Sequence, residues 1–141
     1  METEQTKKIV ARLTLGEDNR WDLTAEDARH IGIIQTFLEE NEAHDAILPF
    51  PLDGNSRIQP ESVNSTLKLL RSSDPDKDIE QIKLRDILES MIVADFLAIN
   101  GCDDTGKKEE GRKDILGVCA KYIAKLIRGK TEEEIRLIFE Y

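Results

Sequence analysis

The side chains that could do chemistry are few, and their spacings imitate known sites without completing them. Gly101-Cys102-Asp103-Asp104-Thr105-Gly106-Lys107-Lys108 follows the G-x-x-x-x-G-K pattern of a phosphate loop, in which backbone N–H groups cradle phosphate and the lysine reaches past them. Lys108 then stands where a Ser or Thr would hold magnesium, and Asp103 and Asp104 would repel the phosphates. The string also leaves a helix instead of a strand, so it reads as a solvated loop. Asp74, Asp76 and Asp78 have the opening ligand spacing of a calcium loop. Ile79 replaces the Gly needed for the sharp turn, however, and Arg85 replaces the bidentate Glu. That string reads as a loop as well.

Imidazole and thiol chemistry has as little to work with. His30 falls beside an apolar helical face and His44 in a polar connection; neither has a recognisable nucleophile partner, and both read as packed or surface residues. Cys119 lies on an apolar stripe and reads as a buried thiol. Cys102 follows a helix end, where it could meet solvent, yet Asp103 and Asp104 disfavour its thiolate. Together the cysteines and histidines are enough in number for a zinc site, but no close ligand pair exists. Asn64-Ser65-Thr66 has the form of a glycosylation sequon inside an expected helix, where it should stay unmodified. The expectation is a protein that is not an enzyme, with no catalytic residue, no metal and no cofactor.

Composition narrows the class further. The 141 residues carry 20 Lys and Arg against 29 Asp and Glu, a net charge of −9. Neutralising nucleic-acid phosphates needs a basic face, and so does docking on anionic lipid, so neither nucleic acid nor membrane is an expected partner. A chain of this length suits one domain and builds a core without staples. Hydrophobic residues are 39% and aromatics 5%, which predicts an aliphatic core under a charged surface. The 2 cysteines are too few for a secreted disulfide scaffold, and the opening METEQTKKIVARL lacks an apolar secretory core. No apolar run approaches the roughly 18 residues that span a bilayer. A soluble protein of the cytoplasm and nucleus is expected.

The elements that must position any site are legible from periodicity. Ile9, Ala11, Leu13 and Leu15 alternate onto one face, Gly16 to Asn19 has turn chemistry, and Arg20 to Leu23 alternates again, which predicts a β-hairpin. Thr24 can cap a short helix, with Asp27 as capping-box partner. A second helix near Ile31 to Glu40 places Ile33, Ile34, Phe37 and Leu38 on one stripe. Pro49 and Pro51 demote Ile47 to Leu52 to an edge strand or extended segment. Gly54 to Ser56 is a loop, and Pro60 opens a helix bearing Val63, Leu67 and Leu70. Ser72 to Asp78 reads as a polar connection. Leu84, Ile87, Leu88, Met91, Ile92 and Ile99 then make one helical stripe, ended by Asn100-Gly101. Asp103 to Asp114 has no apolar residue and reads as a solvated loop. Ile115 to Arg128 is amphipathic and is ended by Gly129. Thr131 with Glu134 is a capping box for a last helix bearing Ile135, Ile138 and Phe139, with Leu137 pointing elsewhere. Periodicity leaves two uses for that final stripe: packing on its own domain, or a platform for a partner's helices.

The residues of these last helices resemble a known family. Ile115 to Phe139, ILGVCAKYIAKLIRGKTEEEIRLIF, is similar without a gap to the C-terminal signature of the Skp family, the adaptor subunits of SCF (Skp, cullin, F-box) ubiquitin ligases. Leu88 to Ile99 resembles the preceding helix of that family, where Ala-Asn-Tyr-Leu-Asp-Ile is usual. The N-terminal half follows the same order more loosely. The resemblance implies an α+β fold, broadly α/β: a BTB/POZ-type domain over residues 1–100, with a small sheet and helices, then a solvated insertion at 101–114. C-terminal F-box-binding helices follow at 115–141. It implies a non-catalytic adaptor linking an F-box protein to a cullin. Carried over by position, the F-box platform is Ile123, Leu126, Ile127, Ile135, Ile138 and Phe139, and the cullin-facing surface includes Asp95 and Phe96.

Several positions depart from the family pattern. Asp95 and Phe96 replace Asn and Tyr, Glu132 replaces the Pro of Thr-Pro-Glu-Glu, and residues 103–114 lengthen a normally tight helix–helix connection. The acidic loop that often precedes the Leu84 helix is shortened to SSDPDKD. Family members normally continue from the Tyr141 position into a further helix that completes the F-box clasp. These departures, and the tendency of BTB-type surfaces to pair with themselves, keep a self-assembling homodimer as the alternative to a ligase role.

Overall fold

Ile9–Leu15 (β1) and Asn19–Thr24 (β2) pair antiparallel around Gly16, which takes a φ of +66°. The computed structural model describes residues 8–40, 47–103 and 105–140. Thr24 ends β2 and caps the helix Ala25–His30 (α1): its hydroxyl accepts the Asp27 N–H while the Asp27 carboxylate accepts the Thr24 N–H, the expected capping box. Ile31 breaks the helix, and Gly32–Glu40 (α2) follows. The chain re-enters the sheet at Leu48–Pro51 (β3), parallel to β1, giving the order β2-β1-β3 with Leu13 between Trp21 and Phe50. The expected edge strand is therefore real. The Leu52 N–H donates to the Thr14 carbonyl at 2.7 Å. Strand alternation then turns the nitrogens of Pro49 and Pro51 to the free edge, where neither has a proton to offer another strand.

Pro60–Arg71 (α3) starts at its proline and buries Val63, Leu67, Leu69 and Leu70. The polar connection expected after it includes a turn of helix. Pro75 is well placed to start a turn of helix, Pro75–Asp78 (α4), and a 3-10 turn at Ile79–Gln81 drives Ile79 into the core. Leu84–Phe96 (α5) packs against α3 and against Ile115–Ile127 (α6); Glu132–Ile138 (α7) ends the described chain. The core is aliphatic, with Leu13, Leu23, Ile34, Leu69, Leu70, Ile87, Leu97, Ile99 and Ile115 among its fully buried side chains.

Two features of α5 correct the sequence reading. Its buried face is Ile87, Ser90, Val93 and Ala94, while Leu84, Leu88, Met91 and Ile92 are only half-buried. Small Ser90 and Ala94 let neighbouring helices approach closely, so a stripe drawn through the largest aliphatic residues is rotated from the true one. The helix also ends earlier than Asn100-Gly101. Ala98 takes the left-handed conformation at φ 57°, the Ile99 N–H returns to the Ala94 carbonyl at 2.8 Å and the Ala98 N–H to Asp95 at 3.2 Å. This is a Schellman motif with alanine where glycine is usual, and Ile99 reaches the core from beyond the helix. Ala98→Gly removes the Cβ penalty of that conformation. It should raise stability by about 0.5–1 kcal/mol after the greater chain entropy of glycine is counted, measured by chemical denaturation.

Residues 105–111 of the connection are exposed, as a solvated loop should be, but the ends of the connection are tied down. Asn100 bridges to Asp114 and Cys102 to Lys108. Arg112 donates to the Cys102 carbonyl at 2.8 Å, and the Lys113 ammonium reaches the Leu70 and Ser72 carbonyls at 2.6 and 3.0 Å. Two cationic side chains thus pin a segment that carries no apolar anchor, which hydropathy does not register.

Candidate protein-binding site

The strings that imitate catalytic sites are occupied by their own chain. In Gly101 to Lys108, the Asp103 carboxylate accepts from the N–H groups of Thr105 and Lys107 at 2.9 and 3.0 Å, so the donors of a would-be phosphate cradle are already taken. The Thr105 hydroxyl is the main influence holding that carboxyl below its usual range. Asp78 accepts from the Ser72 hydroxyl and Asp74 precedes α4. Among the described residues no group of three or more His, Cys, Asp or Glu side chains is placed to hold a metal. Cys119 is buried, and burial pushes its thiol up to about 11 with Asp114 adding to the effect. Cys102 is free and partly exposed. Asn64 accepts the Trp21 indole N–H at 2.7 Å from inside α3. His30 is buried and bonded on both ring nitrogens; His44 lies outside the described residues. No helix among the described residues is long and apolar enough to cross a membrane.

The surface that stands out is on the last two helices. Asp114 caps α6 by accepting the Gly117 N–H at 2.7 Å, and Ile115 and Cys119 root the helix in the core. Val118, Tyr122 and Ile123 still pack against that core. Farther along, Leu126 and Ile127 are half-buried, as are Ile135, Ile138 and Phe139 on α7. No α7 residue is buried, and Leu137 is 62% exposed. Gly129, at φ +73°, ends α6, and the Thr131–Glu134 capping box starts α7: the Glu134 N–H donates to the Thr131 hydroxyl at 3.2 Å. Glu132, Glu133 and Glu134 in the first turn complement the helix dipole. A seven-residue helix without a buried side chain depends heavily on such a cap. Thr131→Ala should cost α7 about 1 kcal/mol, read as roughly fivefold faster amide exchange in α7 with core amides unchanged.

This end of the chain is also where a comparison with known proteins finds a match: residues 113–141 fit the family model described as Skp1 family, dimerisation domain. That segment is similar to the Skp family. The match covers about a fifth of the chain, and no curated protein matches the sequence. The α+β architecture, with its small three-stranded sheet, is consistent with the BTB-like Skp fold. All six positions that the resemblance assigns to an F-box platform lie on or directly after α6 and α7, each half-buried.

The positions assigned to the cullin surface sit at the end of α5. Asp95 is exposed and Phe96 half-buried. Phe96 belongs to an aromatic cluster that the sequence reading missed: its ring centroid is 6.5 Å from Phe50 of β3, which meets Phe37 of α2 edge-on at 5.6 Å. Phe37 and the strand of Phe50 are both legible as elements, but their meeting depends on the parallel crossover. The α2 N-terminus fixes this corner, because the N–H groups of Gly32 and Ile33 donate to the Ala98 and Leu97 carbonyls at 3.1 and 3.3 Å. Asp27 is legible in sequence only as the cap partner of Thr24; its pairing with Arg71 escaped the sequence reading. Arg71 grips the Asp27 carboxylate at 2.9 and 3.2 Å, and although burial pushes that carboxyl up, Arg71 and the Thr24 N–H outweigh it and hold it below its ordinary range.

Proposed function

We propose that the chain is a non-catalytic adaptor that links an F-box protein to a cullin scaffold in an SCF-type ubiquitin ligase of the cytoplasm and nucleus. The observation that carries this reading is the apolar face of α6 and α7, which the protein's own domain leaves half-covered in a segment matching the Skp1 family model. Ile123, Leu126, Ile127, Ile135, Ile138 and Phe139 form the F-box platform. They contribute by removing apolar area from water, at roughly 25 cal/mol per Å² before the cost of association. Residues 1–100 act as the BTB/POZ-like body, 101–114 as the connection and 115–141 as the F-box-binding region.

Asp95 and Phe96 face the cullin in this reading. Phe96 offers ring edge and apolar area where the family's tyrosine offers a hydroxyl. Asp95 requires a hydrogen-bond donor or a cation opposite it. The net charge of −9 favours basic partner surfaces and makes association faster at low salt. Titration of the chain against an F-box segment and a cullin N-terminal domain tests the proposal. Saturable binding of both supports it, and a folded chain that binds neither overturns it.

Self-association is the second reading, favoured by the exposed Leu137 on α7 and by the matched model's description as a dimerisation domain. It uses the same face. Mass measured across a range of concentrations decides it, since a strict monomer throughout excludes the homodimer.

A further inference from the structure

The connection between α5 and α6 is held at its far end by a histidine. His30, the last residue of α1, is only 3% exposed, and its Nδ1 lies 3.0 Å from the backbone nitrogen of Lys113. A backbone N–H can only donate, so Nδ1 carries no proton. In a neutral ring the proton is then on Nε2, which donates to Glu26 at 3.2 Å. The Arg29 guanidinium 3.5 Å from Nε2 adds no bond to the ring, since both groups are donors there and Arg29 is spent on Glu26 at 2.8 Å. One tautomer of one charge state therefore satisfies every contact of this ring.

We propose that His30 is an acid-sensitive latch: neutral, it holds residues 112–114 against α1 and α3, and its protonation releases them. Protonation places a hydrogen on Nδ1 directly opposite the Lys113 N–H, turning a hydrogen bond into a donor–donor contact that must open. The released segment includes the Lys113 ammonium, which otherwise binds the carbonyls of Leu70 and Ser72 around the end of α3. It also includes Asp114, the cap of α6, so the latch secures the root of that helix. The device does not depend on what α6 and α7 bind.

The charges around the ring agree in sign with this. Burial is the largest influence holding His30 below its ordinary range; Glu26 opposes it, and Arg29 and Lys113 reinforce it. Other neighbours are committed elsewhere. Arg71 at the end of α3 turns onto Asp27, Asp22 of β2 accepts from Arg12 of β1, and the first turn of α2 carries no acidic residue. Because the folded state resists protonation more than the unfolded chain does, the latched state is fully favoured above the ordinary histidine range near pH 6.5. It loses stability as pH falls below that.

Amide exchange of the full chain at about pH 7.5 and about pH 5, corrected for intrinsic rates, tests the latch. The Lys113 amide should lose roughly ten- to a hundredfold of its protection at the lower pH while amides of α3 and α5 keep theirs. His30→Asn retains an acceptor near the Nδ1 position without titrating, and should make the Lys113 protection independent of pH. Nitrogen NMR of the wild-type ring should show the proton on Nε2 at neutral pH, a check that needs no variant. Lys113 protection that ignores pH, a loss shared equally by the core helices, the same pH dependence in His30→Asn, or a proton on Nδ1 would each overturn the proposal.

Discussion

Ile127→Asp combined with Phe139→Asp is expected to weaken F-box binding by more than about a hundredfold while leaving the fold intact. Ile127 ends α6 and Phe139 directly follows α7, and each is half-buried before any partner arrives. A carboxylate at either position would have to be desolvated in the complex without a counter-charge, and losses of 2 kcal/mol or more per central apolar anchor are typical of such interfaces. In the free protein the same carboxylates keep much of their hydration. Neither residue belongs to the core cluster, which centres on residues such as Leu69, Ile87 and Ile115. Unfolding should therefore shift by no more than about 0.5–1 kcal/mol. Calorimetry for binding and a thermal melt for folding separate the two effects. A folded double variant that still binds an F-box segment removes the platform from these helices.

Gly32→Val should destabilise the protein by about 1–3 kcal/mol and weaken cullin binding more than F-box binding. A Cβ at Gly32 would stand 2.9 Å from the Ala98 carbonyl oxygen and 3.2 Å from the Ala98 Cβ. Neither neighbour can move cheaply, since Ala98 is already in the left-handed region and its carbonyl accepts the Gly32 N–H. Relief requires α2 to back away from the end of α5. That movement costs the two hydrogen bonds from Gly32 and Ile33 and displaces Phe96 with its aromatic neighbours. The platform on α6 and α7 is anchored separately through Ile115 and Cys119, so it should be affected less. Equal losses for both partners would show that the two surfaces are not mechanically separate.

Local chemistry made much of this fold legible in the sequence. The alternation of Ile9 to Leu15, the caps at Thr24 and Thr131, the prolines of β3 and the terminal glycine of α6 act within a few residues of themselves, and each appears in the structure as read. Ser90 shows where this stops. Its burial on α5 follows from helix–helix approach, which rewards small side chains that hydropathy ranks low. The connection 101–114 is a second case, because its order rests on Lys113 meeting His30, Leu70 and Ser72, partners distant in sequence. The candidate sites divide the same way. Platform positions on α6 and α7 share one local periodicity, whereas the Phe37–Phe50–Phe96 cluster exists only once β3 has crossed to lie beside β1.

Bridging is the property that defines an adaptor, and it can be measured directly. A cullin N-terminal domain is immobilised and an F-box segment is passed over it with and without the chain. Capture of the F-box segment only when the chain is present, lost with Ile127→Asp plus Phe139→Asp, is the expected result. A folded chain that leaves the F-box segment uncaptured, or capture that persists in the double variant, would contradict the assignment of an adaptor acting through α6 and α7.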